Sequence, residues 1–519
     1  MSIKDLPRWL LPAVLGVAAL VLIMILVLGG GDDDAAEGPA AVVPASAPVY
    51  IDLSLRPEGE AKESAEAALG TILGTQDPGA EVISLIEEQA KKEGEDFDYE
   101  AEIEPWLGEH FGIFLTKIAP DDESEGGFIF ETTDSGEALD FISSQGDEDS
   151  GEEKEYEGVE YTIDEDGDAF GLVEDFVVGG DEAAFKAAVD ASDGDSLAES
   201  DEFNDSIDEL APDRLAPLYV PIDKVLDSVS AEDLGTQERA FIEGLLGDAA
   251  EEPILGQMTA SATDVSFELS VAGGEVETAE SSLLEDLPAE AWLAVGLGDV
   301  GSAIDQGIDT LDQGGLESEA IESQLRAQTG IDLDALTAAL GEAAFFVKGR
   351  TVADLGGALV IQDKDQTVTA NLLDRLQTLI AQQSQGTVKV QPLAGAAAGF
   401  QLVDPSGELK QPIQVVQTSG KIVAGYGADS VQQAAAIADS PKTLADEPGF
   451  ENARTAVGDL GVDAFLSIEP ILALAESEGV ASDADYQQAK PYLDGLAFIA
   501  IGSGSDGDRS AVRFVIGLR

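Results

Sequence analysis

"LGEHFGIFL", Leu107–Leu115, and "LGEAAFFVK", Leu340–Lys348, read as one strand written twice. Both open on Leu-Gly-Glu and pass into an apolar run. Outward from this pair the echo continues. Upstream, "VPASAPVYIDLSL" from Val43 returns as "LPAEAWLAVGLGD" from Leu287. Downstream, "GGFIFETTDSGEALDFI" from Gly126 answers "GGALVIQDKDQTVTANLL" from Gly356, and "FVVGGDEAAFKAAVD" at Phe176 answers "KIVAGYGADSVQQAAAI" at Lys421. "SLAESDEFNDSIDEL" at Ser196 pairs with "TLADEPGFENARTAV" at Thr443, and "LAPLYVPIDKVL" at Leu215 with "GVDAFLSIEPIL" at Gly461. "ILGQMTASATDVSFELSVAG" at Ile254 closes one copy as "LAFIAIGSGSDGDRSAVRFVIG" at Leu496 closes the other. The matches keep their order at an offset of roughly 230–250 positions, which reads as a tandem duplication.

Each copy spells the same elements. A short strand opens it (Val49–Leu53; Trp292–Leu297). One or two amphipathic helices follow, such as "AEVISLIEEQAKK" in the first copy, with Val82, Leu85, Ile86 and Gln89 at helical spacing. A meander comes next: "HFGIFLTKI", "GFIFET", the helix "SGEALDFISSQ", then "VEYTI" and "AFGLVE" joined by the turn signal "DEDG", then "FVVGG". Strands in runs with helices between some of them predict an α+β fold, each copy a largely antiparallel sheet with helices packed on one face.

Ahead of the copies, Leu10–Leu28 is 19 residues without a charge, about the thickness of a bilayer core at 1.5 Å per helical residue. Lys4 and Arg8 precede it and Asp32–Asp34 follow, so the expected orientation is N-terminus in the cytoplasm and the rest outside. The nearest small-x-small cleavage signal, Ala45-Ser46-Ala47, is far downstream, which favours an uncleaved anchor. The chain is thus expected to divide into a cytoplasmic stub (1–9), a transmembrane helix (10–28), a flexible Gly/Ala/Pro/Asp tether (29–47), copy one (48–287) and copy two (288–519).

Composition removes whole classes of chemistry. No cysteine means no disulfide, thiolate nucleophile or zinc–thiolate site. One histidine rules out a multi-histidine metal centre. The net charge of −78 over 519 residues repels nucleic acid and anionic lipid headgroups. The acidity is uneven: copy one holds 67 acids against 10 bases, copy two 32 against 14. The more acidic copy is read as a hydrated spacer and the less charged one as the surface that meets a partner.

Four features invite a chemical reading. His110 is the lone imidazole; a gap-free match puts Ala343 in its place, so the fold does not need it, and Trp106 and Gly108 beside it are expected to mark a helix end, with the glycine as αL cap. "GLGDVG", Gly296–Gly301, fits the dinucleotide pattern G-x-G-x-x-G, but its counterpart "DLSLRP" has no glycine. "DEDGD" places Asp164, Asp166 and Asp168 as weak calcium candidates, with the glycine too early for an EF-hand. The abundance of acids leaves a carboxylate pair possible but unassignable, and G-x-S-x-G and S-x-x-K are missing. No cofactor is expected.

The order "WLG", an apolar strand, then Tyr156, Gly158, Val159 and Tyr161 in "YEGVEY", "FVVGGD" at Phe176–Asp181 and the "SLA…F" run from Ser196 to Phe203 resembles a known pattern. It is similar to the bacterial family of extracytoplasmic, single-pass membrane-anchored proteins catalogued as domain of unknown function 3352. The resemblance implies location and fold unity, and no catalytic residues. The expectation is a non-catalytic, membrane-anchored binding or cell-envelope protein whose partner is an envelope protein, polymer or lipid. The alternatives are a carboxylate-based hydrolase of envelope polymers and a lipid- or calcium-dependent binding module.

Overall fold

The computed structural model describes residues 38–519 apart from 94–97, 120–123, 146–151, 165–166, 230–251, 273–280, most of 314–331, 385–386, 394–397, 408, 437–441 and 507–508. The expected membrane helix, Leu10–Leu28, lies outside the described residues. Among the described residues no helix is long and apolar enough to cross a membrane. The chain divides into two compact units, the first running to Glu275 and the second from Val276 to Asp506; residues 507–511 and 518 group with the first and 512–517 with the second.

Unit 1 carries β1 (Val49–Ser54), β2 (Leu107–Lys117), β3 (Glu125–Thr132), β4 (Glu152–Tyr156), β5 (Val159–Ile163), β6 (Asp168–Val173), β7 (Phe176–Asp181), β8 (Ala216–Pro221), β9 (Pro253–Ala260) and β10 (Asp264–Ala272). They hydrogen-bond in the order β4-β5-β6-β7-β3-β2-β1-β8-β9-β10, each ladder antiparallel. Unit 2 carries β11 (Ala291–Asp299), β12 (Leu340–Lys348), β13 (Gly356–Asp363), β14 (Lys389–Pro392), β15 (Ala398–Val403), β16 (Ile413–Thr418), β17 (Lys421–Tyr426), β18 (Gly461–Ser467) and β19 (Leu496–Asp506), with β20 (Arg509–Leu518) after it. Its order is β14-β15-β16-β17-β13-β12-β11-β18-β19-β20. Strand for strand the two orders are the same. The fold is α+β and largely antiparallel.

The likeness reaches single bonds. Leu197 N–H donates to Val43 O at 2.7 Å, and Leu444 N–H to Leu287 O at 2.7 Å. Phe203 meets Tyr219 edge-to-face at 5.2 Å; Phe450 meets Phe465 edge-to-face at 5.4 Å. β4, "EEKEY", was not apparent in the sequence. It is a charged edge strand whose side chains are mostly exposed, so it has no apolar alternation to betray it.

Three expectations need correcting. First, residues 39–47 of the expected tether are packed. Pro39–Val42 forms a 3-10 turn, and Ala40, Val42, Val43 and Ala47 belong to the core of unit 1. A Cβ at Gly112 would sit 2.8 Å from Pro39 Cβ, so the glycine makes room for this clasp. Proline, alanine and valine have no period to read, yet they are small and apolar enough to seat against a sheet. Second, unit 2 opens on the same device. Leu284 N–H bonds Ser281 O at 2.9 Å, and Leu283, Leu284 and Leu287 are buried. Residues 281–287 therefore go with the second copy, not the first.

Third, helices cover both faces of the unit 1 sheet. On one face Tyr50, Phe114, Ile129 and Val178 pack with Phe185, Ala188 and Val189 of α1 (Glu182–Ser192). On the other, Phe111 meets Phe130 in a tilted pair at 4.5 Å, Phe130 meets Trp106, and Trp106 meets Phe141 of the helix Ser135–Gln145 at 5.5 Å. Strand β3 is apolar on both sides, and the sequence-level reading assigned partners to only one.

Candidate functional site

His110 lies in a bulge. Between β2 and β3 the register passes from Leu107↔Thr132 to Phe111↔Phe130, four residues against two. Between β12 and β13 it passes from Leu340↔Asp363 to Ala343↔Ile361, three against two. Copy one therefore has one extra residue here. Leu53 pairs with Phe111 as Leu297 pairs with Ala343, so Ala343 is the counterpart of Phe111 and not of His110. The gap-free match slipped by one position because both stretches begin Leu-Gly-Glu. Gly108 is not an αL cap: it lies in β2, where a Cβ would fall 2.7 Å from Glu131 Cγ. Trp106 does fill the core, its indole N–H donating to Glu102 O at 2.7 Å.

The bulge points two backbone N–H groups, of Glu109 and His110, at one oxygen of Glu131, at 2.9 and 3.0 Å. His110 Nδ1 meets Asp52 Oδ1 at 3.0 Å. Asp52 stands two residues from Tyr50 on β1, so both share the face that His110 occupies. Burial of His110 favours the neutral ring, but the hydrogen bond and charge of Asp52, joined by Glu131 and Glu109, outweigh it and raise the pKa to about 9. Burial and then the charge of Asp52 hold the Tyr50 phenol well above its ordinary range, and burial and Glu131 raise the Glu109 carboxyl. In copy two the set is dismantled: Ala294 replaces Tyr50, Gly296 replaces Asp52 and Gln362 replaces Glu131 by strand register. An imidazole that is already protonated at neutral pH cannot act as a general base. The arrangement is an ion pair that stiffens a bulge.

Because the folded-state pKa exceeds the free value of 6.5, this pairing stabilises unit 1 in full below about pH 6.5 and is lost as pH rises through about 9. The side chains keep 35% and 20% of their exposure, so solvent screening trims the effect. The melting temperature of wild type is expected to exceed that of His110→Gln at pH 6 and to converge with it by pH 10. A difference that stays constant across that range would show that the charge is not what matters.

The other sequence candidates are engaged in local bonds or lie in part outside the described residues. Asp164 accepts the N–H groups of Gly167 and Asp168, both at 2.9 Å, and so ties the β5–β6 turn. Asp166 lies outside the described residues, and among the described residues no group of three His, Cys, Asp or Glu could hold a metal. Gly296–Gly301 does run from a strand into a helix, α2 (Val300–Gln313), but β11 is flanked by antiparallel strands. The helix entrance is already taken: Asp299 accepts from Ser302 N–H at 2.9 Å and pairs with Lys364, putting a carboxylate where a pyrophosphate would have to sit.

A site that the sequence did not suggest lies in unit 2. A cleft of about 570 Å³ opens above the buried pair Phe450–Phe465. On one wall Trp292 is half-buried, its indole N–H bonded to Gly349 O at 2.8 Å. On another, Arg350 grips Glu469 with both arms of its guanidinium, at 2.8 and 2.6 Å. Lys348 bonds Gln433 at 2.5 Å and Asp354 accepts from Thr351 N–H at 2.7 Å. Glu290, Glu447 and Ser467 complete the rim. Copy one keeps the floor, as Phe203 and Tyr219, but has Pro48 and Thr116 at the register positions of Trp292 and Lys348. The signal was present as a rare residue, one of three tryptophans, set where the sister copy has proline.

The family model described as "Protein of unknown function (DUF3352)" matches residues 10–397. None of the curated proteins compared matches the chain. Two solved structures, crystal forms III and I of TP0453, are similar at 14% and 13% identity; each match covers 47% of this chain, with 83% and 81% of the other chain. Their TM-scores of 0.24 are too low to argue from.

Proposed function

We propose that this chain, which belongs to the DUF3352 family of proteins of unknown function, is a non-catalytic binding protein of the cell envelope. In this reading Leu10–Leu28 anchors it in the membrane with the N-terminus in the cytoplasm, and two tandem homologous domains stand outside. Copy one is the acidic, hydrated spacer, and copy two meets the partner. Support for the duplication comes from the shared ten-strand order and the matched clasps. Support for the anchor comes from the uncharged run itself and the charges that flank it.

The observation that carries the binding role is the cleft over Phe450 and Phe465. Both copies keep an aromatic pair at this place, and in the less acidic copy an aromatic ring and two cations line the cleft over it. Small-ligand sites have this composition: an apolar base with a few fixed polar groups around it. The lone histidine is held as an ion pair with Asp52 in the other copy, away from this cleft's residues.

Two measurements test the reading. Protease added to intact cells is expected to digest residues beyond the anchor and spare the N-terminal stub. Full-length protein in detergent is expected to co-sediment with purified peptidoglycan sacculi without releasing soluble fragments. Fragment release would make the chain a hydrolase; absence of sedimentation would remove the polymer as partner.

A further inference from the structure

We infer that the unit 2 cleft takes an uncharged saccharide chain, with Trp292 as the platform on which a sugar ring stacks. This deepens the binding reading above and rests on it. The argument begins with the ring. Trp292 cannot turn freely, because its N–H is committed to Gly349 O, yet the side chain is only half-buried and lines the open cleft. A fixed, partly exposed indole is a flat apolar surface, and the axial C–H groups of a pyranose present a matching one.

The surroundings fit the rest of a sugar. Hydroxyl groups need donors and acceptors close together and held still. Arg350 and Glu469 supply both in one planar fork: the guanidinium has five N–H donors, of which the carboxylate takes two. Glu290, Glu447 and Ser467 add acceptors across the cleft, and Lys348 adds a donor. A purely apolar ligand would strip these groups of water without replacing their hydrogen bonds, which disfavours a lipid tail. Charge narrows the choice further. Four carboxylates, of Glu290, Asp354, Glu447 and Glu469, face two cations, Lys348 and Arg350. The surplus of negative charge repels uronic acids, phosphosugars and nucleotides. Copy one supplies an internal control: the same aromatic floor with Pro48 and Thr116 in place of the tryptophan and the lysine.

The test uses the full-length chain in detergent and three uncharged probes: cellotetraose, chitotetraose and maltotetraose. In a Trp9→Phe background, with Trp106 buried, ligand-dependent change in tryptophan emission reports chiefly on Trp292. At least one tetrasaccharide is expected to give a saturable change. Trp292→Ala should weaken binding, followed by calorimetry, at least tenfold; Arg350→Ala should do the same, and Trp292→Phe should retain part of it. Pro48→Ala in copy one should leave it unchanged. Thermal melts of each variant separate lost binding from lost fold, and Arg350→Ala keeps the test alive if the tryptophan variant does not fold. No saturable response to any of the three, or a response indifferent to Trp292 and Arg350, overturns the inference. So does saturable binding of tetralysine with none of the sugars, which would make the cleft a site for cationic peptide. Sacculi that still co-sediment in either case would leave the broader binding reading standing.

Discussion

Phe346→Ala is expected to remove about 3–5 kcal/mol from the stability of unit 2 and to leave unit 1 almost untouched. Phe346 is fully buried in β12, on the face it shares with Ala294, Val360 and Phe465. Replacing it leaves a hole the size of a benzyl group in a close-packed interior that relaxes only in part. Phe114 occupies the same register position in β2, opposite Tyr50, and is equally buried. If each copy buries its own interior, calorimetry of the full chain gives two transitions, and each variant moves one. For domains of this size about 2–4 °C accompanies each kcal/mol, so the affected transition should fall on the order of 10 °C. One transition lowered equally by Phe114→Ala and Phe346→Ala would refute independent folding of the copies.

Such a pair of variants could have been chosen from the sequence, because the repeat and most strands are visible in it. "GFIFET", "VEYTI" and "FVVGG" fall inside observed strands, and "HFGIFLTKI" and "AFGLVE" overrun theirs by one residue each, Ile118 and Glu174, since alternation and turn residues are local signals. What stayed hidden is non-local or aperiodic. Asp52 lies 58 residues from His110, and nothing in "YIDLSL" marks it as the partner of an imidazole. The extra residue at Glu109–His110 vanishes in any gap-free match, because a bulge changes register without changing composition. The clasp at residues 39–43 has the composition of a linker. The unit 2 cleft draws Trp292, Arg350 and Glu469 from three separate segments, and only the strand order brings them together. Conversely, "GLGDVG" looked like chemistry to a pattern and turned out to be packing.

That last distinction yields the second large effect. Gly301→Ala is expected to destabilise unit 2 by about 3 kcal/mol, the upper end for overpacking. A Cβ on Gly301 would stand 2.1 Å from the carbonyl oxygen of Thr337 and 2.9 Å from its carbon. Thr337 belongs to α3 (Leu333–Ala339), so the obstacle is backbone, and no rotamer change can clear it. Helices α2 and α3 must move apart, and the Asp299 carboxylate, 3.0 Å from the new methyl, is pushed as well. Asp299 caps the first turn of α2 and pairs with Lys364, so its displacement loosens the helix entrance. The rival reading, a dinucleotide loop with Gly301 as its third glycine, shares that packing role and adds a ligand. There NAD or ATP would raise the melting temperature of wild type, and Gly301→Ala, by displacing the helix entrance, would abolish the shift. A close helix–helix approach predicts a lowered unit 2 transition and no nucleotide shift in wild type or variant. Chemical denaturation of both proteins, with and without millimolar nucleotide, decides between them, and a wild-type stabilisation by nucleotide that the variant loses would return the glycine run to the list of binding motifs.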